Sequence, residues 1–331
     1  MIDTALGKKK PLVDWEIIIL AGSFLVLQFI LPFKMLVTEI MIFALGAVAF
    51  NILLGFTGLL SFGQAALFGP GAYASGLLLI HFGWHPLITL LLSCLTGAFL
   101  AAIIGLMSIR KEGVYFVMLT MAFNGLVYFI IYQMKEITGG EDGLLNVPRP
   151  DLSLVPGIKL SIQSTFQFFW FVWIIFILSM IAIKRIIDSP LGHILVAVRE
   201  NPTRTRTIGY NINHYKLLSF VMSGFFTGLA GGLYAMFLKM VPITVVEMWT
   251  SGDFIIIALV GGVGSLYGPV IGAVLVKILS EVLAELWARW LFILGLTFIV
   301  FVMFMRGGLW GMIMGIKDKM LFKKSNLEGQ P

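Results

Sequence analysis

The chain has 331 residues, 59% of them hydrophobic and 12% charged, with a mean hydropathy of +0.98. That balance excludes a soluble globular domain and leaves a polytopic integral membrane protein. The net charge of +6 does not argue for a nucleic-acid partner, because the Lys and Arg residues sit in short loops between apolar runs and so report orientation in the bilayer. The single cysteine, Cys94, excludes an intrachain disulfide and a Cys-rich metal site.

Residues 1–16 read as a cytosolic N-terminal tail. Lys8, Lys9 and Lys10 precede an apolar run from Ile17 to Phe33 that lacks a small-residue cleavage site and is followed at once by further apolar segments, so it is read as an uncleaved first span. At roughly 20 apolar residues per crossing, the spans fall at about 17–33, 38–56, 57–80, 86–109, 114–134, 166–183, 217–238, 252–264, 268–286 and 290–306. The expected fold class is therefore all-α: a transmembrane domain over 17–306, about ten transmembrane helices, and a cytosolic tail over 307–331. With the N-terminus inside, the cytosolic segments are Arg110-Lys111-Glu112, the loop 184–216 and the basic tail. The outer segment 135–165 has Lys135, Arg149 and Lys159 outweighed by Glu136, Glu141, Asp142 and Asp151. The positive-inside rule is obeyed throughout.

Two spans are interrupted. Gly55 to Gln64 (GFTGLLSFGQ), followed by Gly69-Pro70-Gly71, is one; Gly261 to Pro269 (GGVGSLYGP) is the other. The apolar stretch Asp253–Gly264 before the second is about 18 Å long as a helix, too short for a hydrocarbon layer of roughly 30 Å, and reads as a half-helix or re-entrant piece. Irregular backbone at membrane depth needs protein or a water-filled cavity to satisfy it, and transporters build translocation paths that way. The expected path residues are Gly58, Ser61, Gly63, Gln64, Gly69, Gly71 and Tyr73 at the first interruption, and Gly262, Gly264, Ser265 and Gly268 at the second. The alternative is close helix packing at glycine.

The outer stretch Thr138–Pro156 has three prolines and three glycines in 19 residues, a composition of defined turns. Thr138, Gly139, Gly140, Glu141, Asp142 and Gly143 are expected to form an outer gate and docking surface, with the Asp142 side chain capping a local turn. The alternative is a spacer between helices. The loop from Lys184 to His214 is structured rather than slack: Leu191, Ile194, Leu195 and Val198 recur at helical spacing, Asn201 suits an N-cap, Pro202 a first helical position and Gly209 a stop. Two short helices there make a handle that another protein could push; the alternative is a basic loop that only sets topology.

No G-x-x-x-x-G-K-[ST] phosphate loop and no H-E-x-x-H ligand set occur, so the sequence offers no ATPase, metal or cofactor site of its own. Few ionisable residues lie in the spans. Glu39 sits near an outer end, and Lys277, Glu281, Glu285 and Arg289 stripe one helix face. Either the stripe is a self-neutralised face or it meets a cavity or a partner.

Four stretches in this order carry a family resemblance: GFTGLLSFGQAALFGPGAYASG at 55–76, the segment 115–150 with TGGEDGL at 138–144, 189–230 with SPLGHILVAVREN, and GGVGSLYGPVIGA at 261–273. They resemble the permease subunits of bacterial ABC importers for branched-chain amino acids, LivM type. Gln64 stands where many relatives have His. The resemblance implies a homologous sister permease, two cytosolic ATPases, a soluble substrate-binding protein, the bilayer as surroundings and no nucleic-acid partner. It implies a bacterial inner-membrane location with both termini cytoplasmic. It also implies that Arg199, Glu200, Asn201, Pro202, Thr203, Arg204, Arg206 and Gly209 form the loop that couples to the ATPases. The TGGEDGL element is similar to that of urea permeases, so a urea or amide importer stays open, as does an ion-coupled secondary transporter.

Overall fold

The computed structural model describes residues 15–30, 34–82, 85–149, 152–155, 158–160, 162–286, 289–304, 307–312 and 314. Most of the two expected tails, Asp151 and Arg306 lie outside these residues.

Long apolar runs without breakers become helices because only a helix satisfies its backbone internally in lipid. In chain order these are α1 (Trp15–Ile30), α2 (Lys34–Asn51), α3 (Ala65–Phe82), α4 (Pro86–Ser108), α5 (Val114–Gln133), the single turn α6 (Lys135–Thr138), α7 (Thr165–Ile187), α8 (Pro190–Glu200), α9 (Pro202–Thr207), α10 (Ile212–Leu238), α11 (Met248–Gly261), α12 (Gly268–Leu286) and α13 (Trp290–Phe304). The helical class stands; an antiparallel hairpin, β1 (Leu152–Val155) with β2 (Ile158–Leu160), sets Leu152 opposite Leu160 in the segment between α6 and α7. Among the described residues six helical segments are long and apolar enough to cross a membrane: Met35–Phe56, α3, α4, α5, α7 and α10. The expected count of ten draws on four more helices. Of these α1, α11 and α13 have 16, 14 and 15 residues, and α12 carries Lys277, Glu281 and Glu285.

Helix α2 is the hub, buried on almost all sides, and α7, α10, α11 and α12 pack around it. Phe43 of α2, Phe68 of α3, Tyr234 of α10 and Phe254 of α11 meet as one aromatic cluster, with Phe68 and Phe254 centroids 5.3 Å apart. Small residues bring α3, α4 and α10 together, as expected where apolar burial gives helices no drive to associate in lipid. A Cβ on Gly71 would stand 2.6 Å from the Gly228 carbonyl oxygen, and one on Gly228 would stand 3.1 Å from the Gly97 Cα.

The interruptions fall at 58–64 and 262–267. A π-helical turn, Ile52–Phe56, prolongs α2 before the first. Gly69-Pro70-Gly71 is a correction: it lies inside α3, which runs unbroken through Pro70. These glycines serve packing, against Val246 at Gly69 and Gly228 at Gly71. Helix α11 rises over about 21 Å, short of a full hydrocarbon layer, and is reached through a 3-10 turn, Ile243–Val246.

Candidate functional site

At one end of the bundle the two interruptions and the α8–α9 loop converge. Ser189 and Pro190 open α8, whose Leu195 and Val198 are buried against the spans. Asn201 then caps α9: its Oδ1 accepts from the Arg204 amide at 2.9 Å, and Pro202 takes the first helical position. Thr205 fixes the short helix by donating to the carbonyls of Ala197 at 3.0 Å and Asn201 at 2.9 Å. Gly209 follows with φ +99. Glu200, Pro202, Thr203, Arg204 and Arg206 face outward, joined by the exposed apolar side chain of Ile208.

Arg199 does not face outward in the same way. Its guanidinium donates to the carbonyl of Gly55, its stem crosses Gly58, and its head lies beside Gly264. The Asn51 amide completes the junction: Nδ2 donates to the Ser265 carbonyl at 2.7 Å, and Oδ1 accepts from the Gly264 N–H at 3.1 Å. Ser265 closes its own turn by donating to the Gly262 carbonyl at 3.2 Å and accepting from the Gly268 N–H at 2.9 Å. Asn51 of α2 therefore holds the second interruption, and Arg199 of α8 ties the π-helical turn just before the first to the same junction. Gly264 and Ser265 also line a cavity of about 610 Å³ bounded by Lys184, Asp188 and Tyr267.

Deeper in the bundle, the first interruption is satisfied by polar side chains. The Gln64 Nε2 donates to Ser223 Oγ at 3.0 Å and its Oε1 accepts from Thr227 at 3.0 Å. The Ala65 N–H, first of α3, donates to Ser251 Oγ at 2.8 Å, and the Phe62 N–H to Thr120 Oγ1 at 3.2 Å. The Ala65–Ser251 bond brings the starts of α3 and α11 together. Ser61 and Gln64 are wholly buried, Gly63 packs on Thr120, and Tyr73 is buried with no partner for its hydroxyl among the described residues. These expected path residues thus lie in the packed interior of the bundle.

At the opposite end Thr138 organises the expected gate. Its hydroxyl donates toward the carbonyls of Ile131 (2.7 Å) and Met134 (2.9 Å) and accepts from the Gly140 N–H at 3.3 Å. Gly139, Gly140 and Gly143 all have positive φ, which favours glycine. Among the described residues Asp142 makes no such bond; Glu141 and Asp142 are exposed, so the expected Asp142 cap is replaced by Thr138. The strap beyond pairs with the segment leading into α11, through Leu144 with Val241 (2.9 and 2.8 Å) and Val147 to Lys239 (2.9 Å). Arg149 caps α10 by donating to the carbonyls of Met236, at 2.6 Å, and Phe237, and stacks 4.3 Å over Phe168.

On the α12 stripe one residue has its partner on another helix. Lys277 pairs with Glu39 of α2 at 2.8 Å, over the Phe43 ring, rather than with its helix neighbours.

Sequence reasoning missed Asn51, Thr120, Asn124, Arg149, Ser223, Thr227 and Ser251. The available signal was periodicity: Ser219, Ser223 and Thr227 recur every fourth residue of α10, beside Gly224 and Gly228, and all three hydroxyl residues are fully buried.

The chain matches the family model described as Branched-chain amino acid transport system / permease component over residues 33–303, and it belongs to that family of multi-pass membrane proteins. It is 27% identical over 75% of its length to the high-affinity branched-chain amino acid transport system permease protein LivM of Salmonella typhimurium, of which it spans 63%. It is 25% identical over 71% of its length to a probable LivM permease of Methanocaldococcus jannaschii, of which it spans 77%. It is 27% identical over 67% of its length to a probable LivH permease of the same organism, of which it spans 70%. A comparison with solved structures finds no match.

Proposed function

We propose that this chain is the membrane-spanning permease subunit of an ABC importer, passing branched-chain or related small amino acids delivered by a soluble binding protein. It works beside a homologous sister permease and two cytosolic ATPases, in a bacterial inner membrane with both termini cytoplasmic. Similarity to both LivM and LivH relatives supports a pair of homologous permeases. The observation that carries the reading is the Arg199–Gly55 bond, together with the Asn51 clamp from the end of α2 onto the second interruption. ATP-driven closure of the ATPases pushes α8 and α9; through Arg199 the push reaches the broken span at 58–64, and through Asn51 the one at 262–267. The half-helices then rearrange and access alternates. Glu141 and Asp142 suit docking to the binding protein on the other side.

The test is leucine uptake by cells expressing the chain with its sister subunit, ATPases and binding protein. Uptake should need ATP and all partners, survive collapse of ion gradients, and be competed by valine and isoleucine but not by urea. Arg199→Ala should keep ATPase binding while uptake falls about tenfold or more, the loss of one charge-assisted bond at a switching contact. Leucine uptake by the chain alone, driven by an ion gradient, would overturn the reading.

A further inference from the structure

A groove of about 320 Å³ runs between α5 and the start of α11, away from the junction and the buried Gln64 cluster. It is at the small end of ligand pockets, which begin at roughly 300 Å³. Its walls combine two kinds of chemistry. Met121, Tyr128, Met248 and Trp249 give an apolar lining, and Glu247 is the charged residue among those that line it.

Three polar features of the groove are unused by the fold. Asn124, halfway along α5 and 2% exposed, donates through Nδ2 to the Val246 carbonyl at 3.1 Å, while its Oδ1 is buried without a partner among the described residues. Such an orphan acceptor costs stability unless something supplies a donor. Helix α11 begins at Met248, and Glu247, its N-cap residue, does not fold its carboxylate back onto the helix. The Thr250 N–H turns back to the Glu247 carbonyl at 3.1 Å. The N–H groups of Met248 and Trp249 have no partner among the described residues, at the end of a helix that attracts anions.

We infer that this groove is a transit subsite for a zwitterionic α-amino acid with an apolar side chain. The ammonium donates to Asn124 Oδ1 and Glu247, the carboxylate accepts from the free N–H groups at the start of α11, and the side chain lies against Met121, Met248 and Trp249. The three features match the three parts of that ligand, and a neutral amide or a simple cation would leave at least one unmatched. The inference rests on the amino-acid reading above and adds where the substrate is held. The strap 138–149 is paired to the segment entering α11, which ties the subsite to the expected outer gate.

Gly125 lies on the groove, and a Cβ there meets nothing within 4 Å, so Gly125→Cys reports occupancy without disturbing packing. In the assembled transporter, carrying Cys94→Ser and Gly125→Cys, reaction with a small thiol reagent is timed with L-leucine, with 4-methylpentanoate, which lacks the ammonium, and with 3-methylbutylamine, which lacks the carboxylate. L-Leucine should slow labelling about tenfold, the free fraction left when a ligand stands at roughly ten times its Kd. Neither analogue should do so at the same concentration. Glu247→Gln and Asn124→Leu should remove most of the protection, and Glu247→Asp should retain part of it. An unliganded labelling rate equal to the parent's shows that a variant is folded. If Asn124→Leu misfolds, the two Glu247 variants decide. Equal slowing by all three compounds, no slowing by leucine, or protection that survives Glu247→Gln would overturn the subsite. Protection needs no turnover, so a transporter in which leucine shields the introduced thiol yet imports no amino acid would sink the importer reading and leave the subsite standing.

Discussion

Asn51 uses both ends of its amide, one as donor and one as acceptor, on backbone that no helix satisfies. Asn51→Leu keeps the approximate size and leaves the Gly264 N–H and the Ser265 carbonyl without a partner. Losing both bonds to these half-buried groups costs about 1 kcal/mol or more, so the variant should unfold earlier in detergent on heating, while Asn51→Asp, which keeps the acceptor, should fall between. Equal midpoints for all three would show that the clamp contributes nothing. A second residue pair gives a pH signature. Lys216, nearly buried at the start of α10, donates to Glu112 at 2.9 Å, and this bond with its charge holds the Glu112 carboxyl below the usual carboxylate range. A depressed carboxyl pKa contributes stability that is present above the unfolded value and lost as pH falls through the folded one. Wild type should therefore lose stability relative to Glu112→Gln as the pH drops through and below the carboxylate range, the two curves converging in acid. Parallel curves would remove the pair from the acid response. Neither Asn51 nor Lys216 announced its partner in the sequence, because each bond joins residues far apart in the chain.

Among the elements, the glycine contacts of α3, α4 and α10 make the sharpest expectation. Gly228 accepts no side chain, since its Cα hydrogens face both Gly97 and Ser93. Gly228→Val should abolish assembly of the chain, a packing failure costing several kcal/mol, whereas Gly252→Ala and Gly295→Ala, with nothing within 4 Å of a Cβ, should express and fold as wild type. Expression and detergent gel filtration separate the outcomes, and normal yield of Gly228→Val would mean the helices have room to part. This is also where sequence and structure part company. The α8 face, the Asn201 cap, the shortness of α11 and the two interruptions were all legible, because each is local chemistry. Gly69-Pro70-Gly71 misled for the converse reason: breaker composition is local, but Gly228 and Val246, which make those glycines a packing surface, are distant in sequence. The Asp142 cap failed because Thr138, one helical turn earlier, already supplied the hydroxyl that the turn needed.

For the whole molecule, the proposed orientation puts the α8–α9 loop in the cytosol and the Thr138–Arg149 strap outside. In a Cys94→Ser background, Glu141→Cys should react with a membrane-impermeant thiol reagent in intact cells, while Arg204→Cys should react only after permeabilisation. Reaction of both from outside would invert the topology. The broad class was readable from composition and order of motifs; the number of crossings was less so, since α1, α11, α12 and α13 are short or charged and their depth depends on neighbours as much as on apolarity.

A tie with no slack transmits in both directions. Because Arg199 bonds backbone of the broken span directly, any free energy that the loop delivers to the interruption must be matched by an equal effect of the interruption on the loop. On the proposed reading, cargo arriving at the strap end alters how tightly the ATPases hold ATP. The bond that drives uptake is then also the one through which cargo is felt at the nucleotide, and Arg199→Ala should flatten the dependence of ATP affinity on cargo even as it lowers uptake.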